Sequence, residues 1–163
     1  MIFITVGSQK FRFDRLLKTI DDLIEKGVIT ERVFAQTGCC EYIPKNYPYK
    51  AFLNRDEFSD YQEQADIVIT HGGTGAIIGA VKKGKKVIAV PRRAEYGEHV
   101  DDHQLQLIGQ FKDQNLILGL SGCEEIEDAL KSIGEKEFDS YESNTQRYLN
   151  RIEDYINKLS NGV

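Results

Sequence analysis

Short apolar runs alternate along the chain with stretches whose apolar residues recur at helical spacing. Ile2 to Val6 reads as a buried strand, and Gly7-Ser8-Gln9 as the loop at its carboxyl end. Phe13, Leu16, Leu17, Ile20, Leu23 and Ile24 mark one face of a helix that Gly27 closes. Arg32 to Gln36 is a short strand ending in the turn Thr37-Gly38-Cys39-Cys40. Pro44 and Pro48 interrupt the next stretch, and Tyr49 to Leu53 forms a third strand. Asn54 with Glu57 has the spacing of a capping box, ahead of a helix whose apolar face carries Phe58, Tyr61 and Ala65. Ile67 to Thr70 is a further buried strand. A run of small residues comes immediately after it, then Ile77, Ile78 and Val81 at helical spacing, and Gly84 where a C′ glycine ends a helix.

The same alternation continues. Val87 to Val90 is a strand stopped by Pro91, and Arg92 to Gly97 is a polar loop. Val100, Gln104, Leu107, Ile108 and Phe111 predict a helix, Asn115 to Leu120 a last strand. Ser121 and Glu124 have the spacing of a capping box for a helix bearing Ile126, Ala129, Leu130 and Ile133. A long helix is expected over about 140–160, with Tyr148, Leu149, Ile152, Tyr155, Ile156 and Leu159 as its apolar stripe. Strands alternating with helices imply an α/β fold, a single domain over residues 1–163 with a parallel sheet covered on both faces. Ligands of such sheets bind beyond the carboxyl ends of the strands. Gly7-Ser8, Thr37 to Cys40, His71 to Gly75 and Arg92 to Gln104 therefore belong to one edge.

The stretch His71-Gly72-Gly73-Thr74-Gly75 carries the chemistry. A strand, a glycine turn and a helix aim several backbone N–H groups at one point, where the helix dipole is positive. Glycine lets the backbone approach a diphosphate, and the Thr74 hydroxyl can donate to phosphate or cap the helix. The run matches neither G-x-G-x-x-G nor a P-loop. The plainer alternative is a tight strand-to-helix turn.

Composition narrows the classes. A net charge of −5 argues against broad nucleic-acid binding, which needs a basic face. No apolar run approaches the ~20 residues of a membrane span, and the N-terminus lacks the basic region of a signal peptide. Cys39, Cys40 and Cys123 are odd in number and lack C-x-x-C spacing, which fits reduced thiols in a cytosolic protein.

Three segments together carry a resemblance: His71 to Gly75, Gly84-Lys85-Lys86-Val87-Ile88-Ala89-Val90-Pro91, and Asp102-His103-Gln104. With the opening Phe3-Ile4-Thr5-Val6-Gly7-Ser8 and Phe13-Asp14-Arg15-Leu16, they are similar to the glycosyltransferase family 28 C-terminal domain over roughly residues 1–120. The small single-domain members are most alike: the cytosolic catalytic subunit of a split UDP-N-acetylglucosamine transferase, and bacterial capsule and exopolysaccharide galactosyltransferases. The resemblance implies a Rossmann-like sheet equivalent to the C-terminal, donor-binding half of a GT-B enzyme. It implies a UDP-sugar donor, inversion at the anomeric carbon, and a cytoplasmic location. The acceptor half is then expected on a membrane-anchored partner subunit that presents a lipid-linked sugar acceptor, with a homo-oligomer as the alternative state of the isolated chain. The C-terminal helix is the natural docking element; packing against its own sheet is the alternative.

Carried over residue by residue, Gly7, Gly72, Gly73, Thr74 and Gly75 resemble the turns that receive the diphosphate, and His71 the histidine that approaches the phosphates. The alternative for His71 is to hydrogen-bond the neighbouring loop. Asp102, His103 and Gln104 match the sugar-binding motif, a task that suits groups able to donate or accept toward vicinal hydroxyls; a solvated helix start is the alternative. Related motifs place a ribose-binding glutamate eight residues after the histidine; here that position is Gly79. His99 and Glu98, with Glu95 behind them, are the candidates for general base, unless the partner supplies it. His99 and His103 stand four residues apart, but the glutamate of a zinc H-E-x-x-H helix is missing, and neither a metal nor another cofactor is expected. Arg92 and Arg93 suit either phosphate neutralisation or a solvated loop. Two functional classes stay open: a catalytic subunit, and a non-catalytic subunit that enhances a transferase elsewhere. A nucleotide-binding domain unrelated to sugar transfer is a third.

Overall fold

The computed structural model describes residues 1–143 and 145–160, except the side chains of 145–148, 154 and 158–160. Its strands are β1 (Ile2–Thr5), β2 (Val33–Gln36), β3 (Tyr49–Lys50), β4 (Ile67–Thr70), β5 (Lys86–Ala89) and β6 (Leu118–Gly119). Its helices are α1 (Asp14–Glu25), α2 (Arg55–Gln64), α3 (Thr74–Lys82), α4 (His103–Asp113), α5 (Ile126–Ile133) and α6 (Thr145–Ser160). The strands form one sheet in the order β3-β2-β1-β4-β5-β6, with every neighbouring pair parallel. The strand order reverses between β1 and β4, where Thr5 lies opposite Thr70, so the crevice of a doubly wound sheet opens above that pair.

The short strands read as continuous apolar runs because both of their faces are covered. Ile2, Ile4, Ile69 and Ile88 join Leu16, Leu17 and Ile20 of α1 and Ile126 and Ile133 of α5 in one core. Phe3, Val68 and Val87 turn the other way and pack with Ile77 and Ala80 of α3 and Ile108 of α4. α2 covers that same face through aromatic contacts: Phe3 meets Phe58 edge-on at 5.4 Å, and Phe34 stacks on Tyr61 at 3.8 Å.

Local signals account for three of the helix ends. The Asn54 side chain accepts the Glu57 N–H while the Glu57 carboxylate accepts the Asn54 N–H, the reciprocal bonds of a capping box. Gly27 and Gly84 follow α1 and α3 in the left-handed region, with φ of +71° and +67°. Ser121 and Glu124 make no capping box. The Ser121 N–H instead donates to Glu125 at 3.2 Å, and a 3₁₀ turn, Cys123–Glu125, precedes α5. The third strand stops at Lys50, and Phe52 is exposed. Residues 115–117 leave the sixth strand to Leu118–Gly119, because the Leu116 N–H closes onto Phe111 at the end of α4. Val100 lies before α4 and is 78% exposed.

The C-terminal helix starts at Thr145, and Leu149, Ile152, Tyr155 and Ile156 of its stripe are exposed. The side chains of Tyr148 and Leu159 lie outside the described residues. No helix among the described residues is long and apolar enough to cross a membrane. The cysteines are free; Cys40 accepts the Phe13 N–H at 3.0 Å, and burial pushes its thiol up to about 11.

Phe3 sits at the centre of one face of β1 and is fully buried. Phe3→Ala should destabilise the protein by about 3–5 kcal/mol, read as a lower urea midpoint with little change in slope.

Candidate functional site

A cleft of about 520 Å³ opens at the carboxyl ends of β1, β2 and β4. Gly7, Ser8 and Gln9 form one wall, with Thr5 and Gln36 below them. His71, Gly72, Gly73 and Ala76 form the second, and His99, His103, Gln104 and Leu107 the third. Leu53, Asn54, Arg55 and Phe58 close the remaining side. Three of the four loops assigned to one edge from the strand pattern thus meet in one place.

The second wall is the start of α3. Gly73 occupies the N-cap position, and no side chain caps the helix. Thr74 is the first helical residue and makes no cap bond. The N–H groups of the first turn therefore have no acceptor inside the helix and carry the positive end of its dipole. Thr74 and Gly75 are exposed at this end, outside the cleft lining, and a Cβ added at Gly75 would meet open space.

The glycines have a further steric reason. A Cβ at Gly7 would come within 2.7 Å of the His71 ring, and one at Gly73 within 2.6 Å. The imidazole fills the gap between the two turns. Its Nδ1 lies 3.3 Å from the Thr5 carbonyl, which can only accept, so Nδ1 carries the proton and Nε2 the lone pair. Burial, then the nearby Arg92 charge, pushes the ring down to about 4. His71 is therefore neutral at pH 7. It braces the two turns and contributes no positive charge toward a phosphate.

Arg92 is 2% exposed and is neither a solvated loop residue nor a cleft cation. Its guanidinium donates to the carbonyls of Val6, Phe11 (2.9 Å) and Arg12 (3.2 Å), and so fastens both ends of the β1–α1 loop. The Arg92 N–H donates to Gln104 Oε1 at 3.0 Å, which ties the loop after β5 to α4. Gln104 has its oxygen occupied in this way and keeps its NH2 group for the cleft that it lines.

The other candidates separate. Glu98 lies outside the cleft lining: Arg15 donates to both of its carboxylate oxygens, at 3.0 and 2.9 Å, and the Arg93 N–H donates to it at 3.0 Å. Asp102 also lies outside, accepting the Ala94 N–H at 3.0 Å, and Glu95 pairs with Arg93 at 2.9 Å. His99 lines the cleft from the loop, not from α4, so it shares no helical face with His103. Its Nδ1 lies 3.1 Å from Asp101 Oδ1, and its ring packs on Phe11 at 4.4 Å. Gly79 faces α2: a Cβ there would come within 3.0 Å of Gln62, which is buried and donates to the Ala76 carbonyl. Sequence reasoning missed Gln36 and Asp101, and it missed what Arg92 does. No local pattern marks an arginine after a proline as buried.

The His71 brace and the Arg92 clamp can each be tested through stability. The unfolded His71 titrates near 6.5 and the folded one near 4, so between these values the unfolded chain binds more protons. The stability held by the neutral ring is complete above about pH 6.5 and is lost as pH falls toward 4. Urea titrations at pH 7 and pH 5 should show this loss, and His71→Asn should flatten it. Arg92→Met leaves three carbonyls without their donor and should cost about 3 kcal/mol or more. Arg92→Lys should recover only part, since one ammonium cannot reproduce the planar fork.

The chain matches the model of the family described as the glycosyltransferase family 28 C-terminal domain over residues 1–159. It is 26% identical over 119 residues to the UDP-N-acetylglucosamine transferase subunit ALG13 of Homo sapiens, covering 68% of this chain and 10% of that protein. The Mus musculus counterpart is 25% identical over 118 residues, covering 67% of this chain. The chain thus spans about a tenth of the length of these relatives. Among solved structures, the calicheamicin glycosyltransferase CalG4 superposes with a TM-score of 0.60 at 14% identity, over 83% of this chain and 34% of that one. The glycotransferase of kitacinnamycin superposes with a TM-score of 0.57 at 14% identity, over 83% of this chain and 35% of that one. These likenesses are of fold, that of GT-B glycosyltransferases. A match over nearly the whole chain, on a parallel sheet whose switch point holds the glycine turn, makes this protein a member of the glycosyltransferase family 28 C-terminal domain family.

Proposed function

We infer that this chain is the nucleotide-sugar-binding subunit of a two-component inverting glycosyltransferase. One observation carries the reading: the uncapped N-terminus of α3 and the Gly72-Gly73 turn stand at the switch-point cleft, where a diphosphate would meet unpaired N–H donors. The donor is a UDP-sugar, with UDP-galactose the first candidate by resemblance to capsule and exopolysaccharide enzymes. No resident cofactor or metal is called for. The sugar lies toward Gln104 and His103. The acceptor is a lipid-linked sugar at the cytoplasmic face of a membrane, presented by a membrane-anchored partner. The word subunit in the relatives' name, and the exposed Leu149, Ile152 and Tyr155 on α6, support a partner.

The chemistry is a single displacement. The acceptor hydroxyl oxygen attacks the anomeric carbon on the face opposite the diphosphate. The new C–O bond forms as the bond to the UDP oxygen breaks, and the hydroxyl proton passes to a base. Charge gathering on the leaving phosphate is stabilised by the α3 N–H groups, which are already oriented. His99 is the base this chain offers: in the tautomer whose Nδ1–H donates to Asp101 Oδ1, Nε2 is left to accept the proton.

The test begins with calorimetric titration of UDP. Gly75→Asp should preserve or raise stability, because the site is open and an acidic residue suits a helix start. It should weaken UDP binding by about tenfold or more through repulsion of the diphosphate. Radiolabelled UDP-sugars should then label lipid only when this chain is co-expressed with a membrane partner. Robust transfer by this chain alone refutes the two-component reading; no UDP affinity favours a non-catalytic subunit.

A further inference from the structure

Gln36 ends β2 on the cleft floor, in register with Thr5 of β1 and Lys50 of β3. The residue is 4% exposed and lines the cleft. Its amide nitrogen donates to the Gly7 carbonyl at 3.2 Å, which fixes the orientation of the amide. Turning the group over would set its oxygen against the Gly7 oxygen. Gln36 Oε1 therefore points elsewhere, and it has no hydrogen-bond partner among the described residues. Buried acceptors in folded proteins nearly always have a donor, so this one calls for a reason.

The strand order says which part of a ligand would supply the donor. α3 and the Gly72-Gly73 turn follow β4, while His103 and Gln104 lie beyond β5. Gln36 stands on the opposite side of β1, toward Leu53 and Asn54. With the diphosphate at the start of α3 and the sugar toward Gln104, this side receives the nucleoside. A diphosphate has no proton to donate at neutral pH. A ribose does, through its two hydroxyls, and it is the group bonded directly to the diphosphate. α3 offers no competing acceptor at Gly79, which has no side chain and packs against Gln62.

We propose that Gln36 Oε1 accepts a hydrogen bond from a ribose hydroxyl of the nucleotide, so that Gln36 selects ribonucleotides over deoxyribonucleotides. The assignment rests on the nucleotide-sugar reading above. One amide then does two jobs: its nitrogen holds the Gly7 turn and its oxygen reads the ribose.

Calorimetric titration of UDP, 2′-deoxy-UDP and 3′-deoxy-UDP into the full chain tests it. The wild-type chain should bind one deoxy analogue about tenfold more weakly than UDP. Gln36→Met, similar in size and without a strong acceptor, should bind UDP and that analogue equally. A merely structural role for Gln36 lowers all three affinities together and leaves their ratio untouched. A folded Gln36→Met variant that keeps the wild-type ratio overturns the proposal. So does a wild-type chain that binds all three ligands within about twofold of one another, a result that needs no variant. If UDP itself does not bind, the nucleotide reading falls, and this proposal with it.

Discussion

The site depends on one buried guanidinium. Arg92 lies under the cleft with no carboxylate in ion-pair contact among the described residues, and burial lowers its pKa. Removing such a charge from water is costly unless its donors are met. Here three backbone carbonyls meet them, and the Phe13 ring lies 5.6 Å from the guanidinium carbon. The carbonyls belong to the two ends of one loop, so the same bonds that make the charge tolerable also fix Gly7, Ser8 and Gln9. The main chain of Arg92 reaches Gln104, and its charge helps keep His71 neutral. Three walls of the cleft are thus tied to a single residue, one through its guanidinium, one through its charge and one through its main-chain N–H.

The fold was largely legible in the sequence. The apolar runs of β1, β4 and β5 are buried strands with no polar alternation to blur them. The capping box at Asn54 and the glycines after α1 and α3 mark helix ends through local geometry that the residues themselves dictate. The short edge strands were overestimated because β-branched and aromatic residues at 49–53 and 115–120 also suit the exits from a sheet or a helix. The Ser121 signal failed because the Ser121 N–H met Glu125, one residue beyond the box spacing.

The site was legible in its location and less so in its roles. Neighbouring loops of a parallel sheet must meet, so the cleft could be placed from strand positions alone. What each side chain does there depends on partners distant in the chain. Glu98 reads as an available base in the sequence, yet Arg15, 83 residues away, holds both of its oxygens. His71 reads as a phosphate ligand, but its neutrality comes from burial and from Arg92, which no local motif encodes. Asp21 is a similar case. It sits in α1, where an acidic residue reads as surface, yet it is buried and accepts the N–H groups of Lys45 and Asn46 and the hydroxyl of Tyr42.

The sheet ends in two-residue strands on both sides, β3 and β6. An edge that short offers an incoming strand very few backbone hydrogen bonds, and it gives little foothold for extending the sheet into another chain. Assembly with a neighbour is thereby steered away from strand addition and onto side-chain surfaces, whose shape and charge evolution can tune without disturbing the hydrogen-bonded frame that carries the cleft.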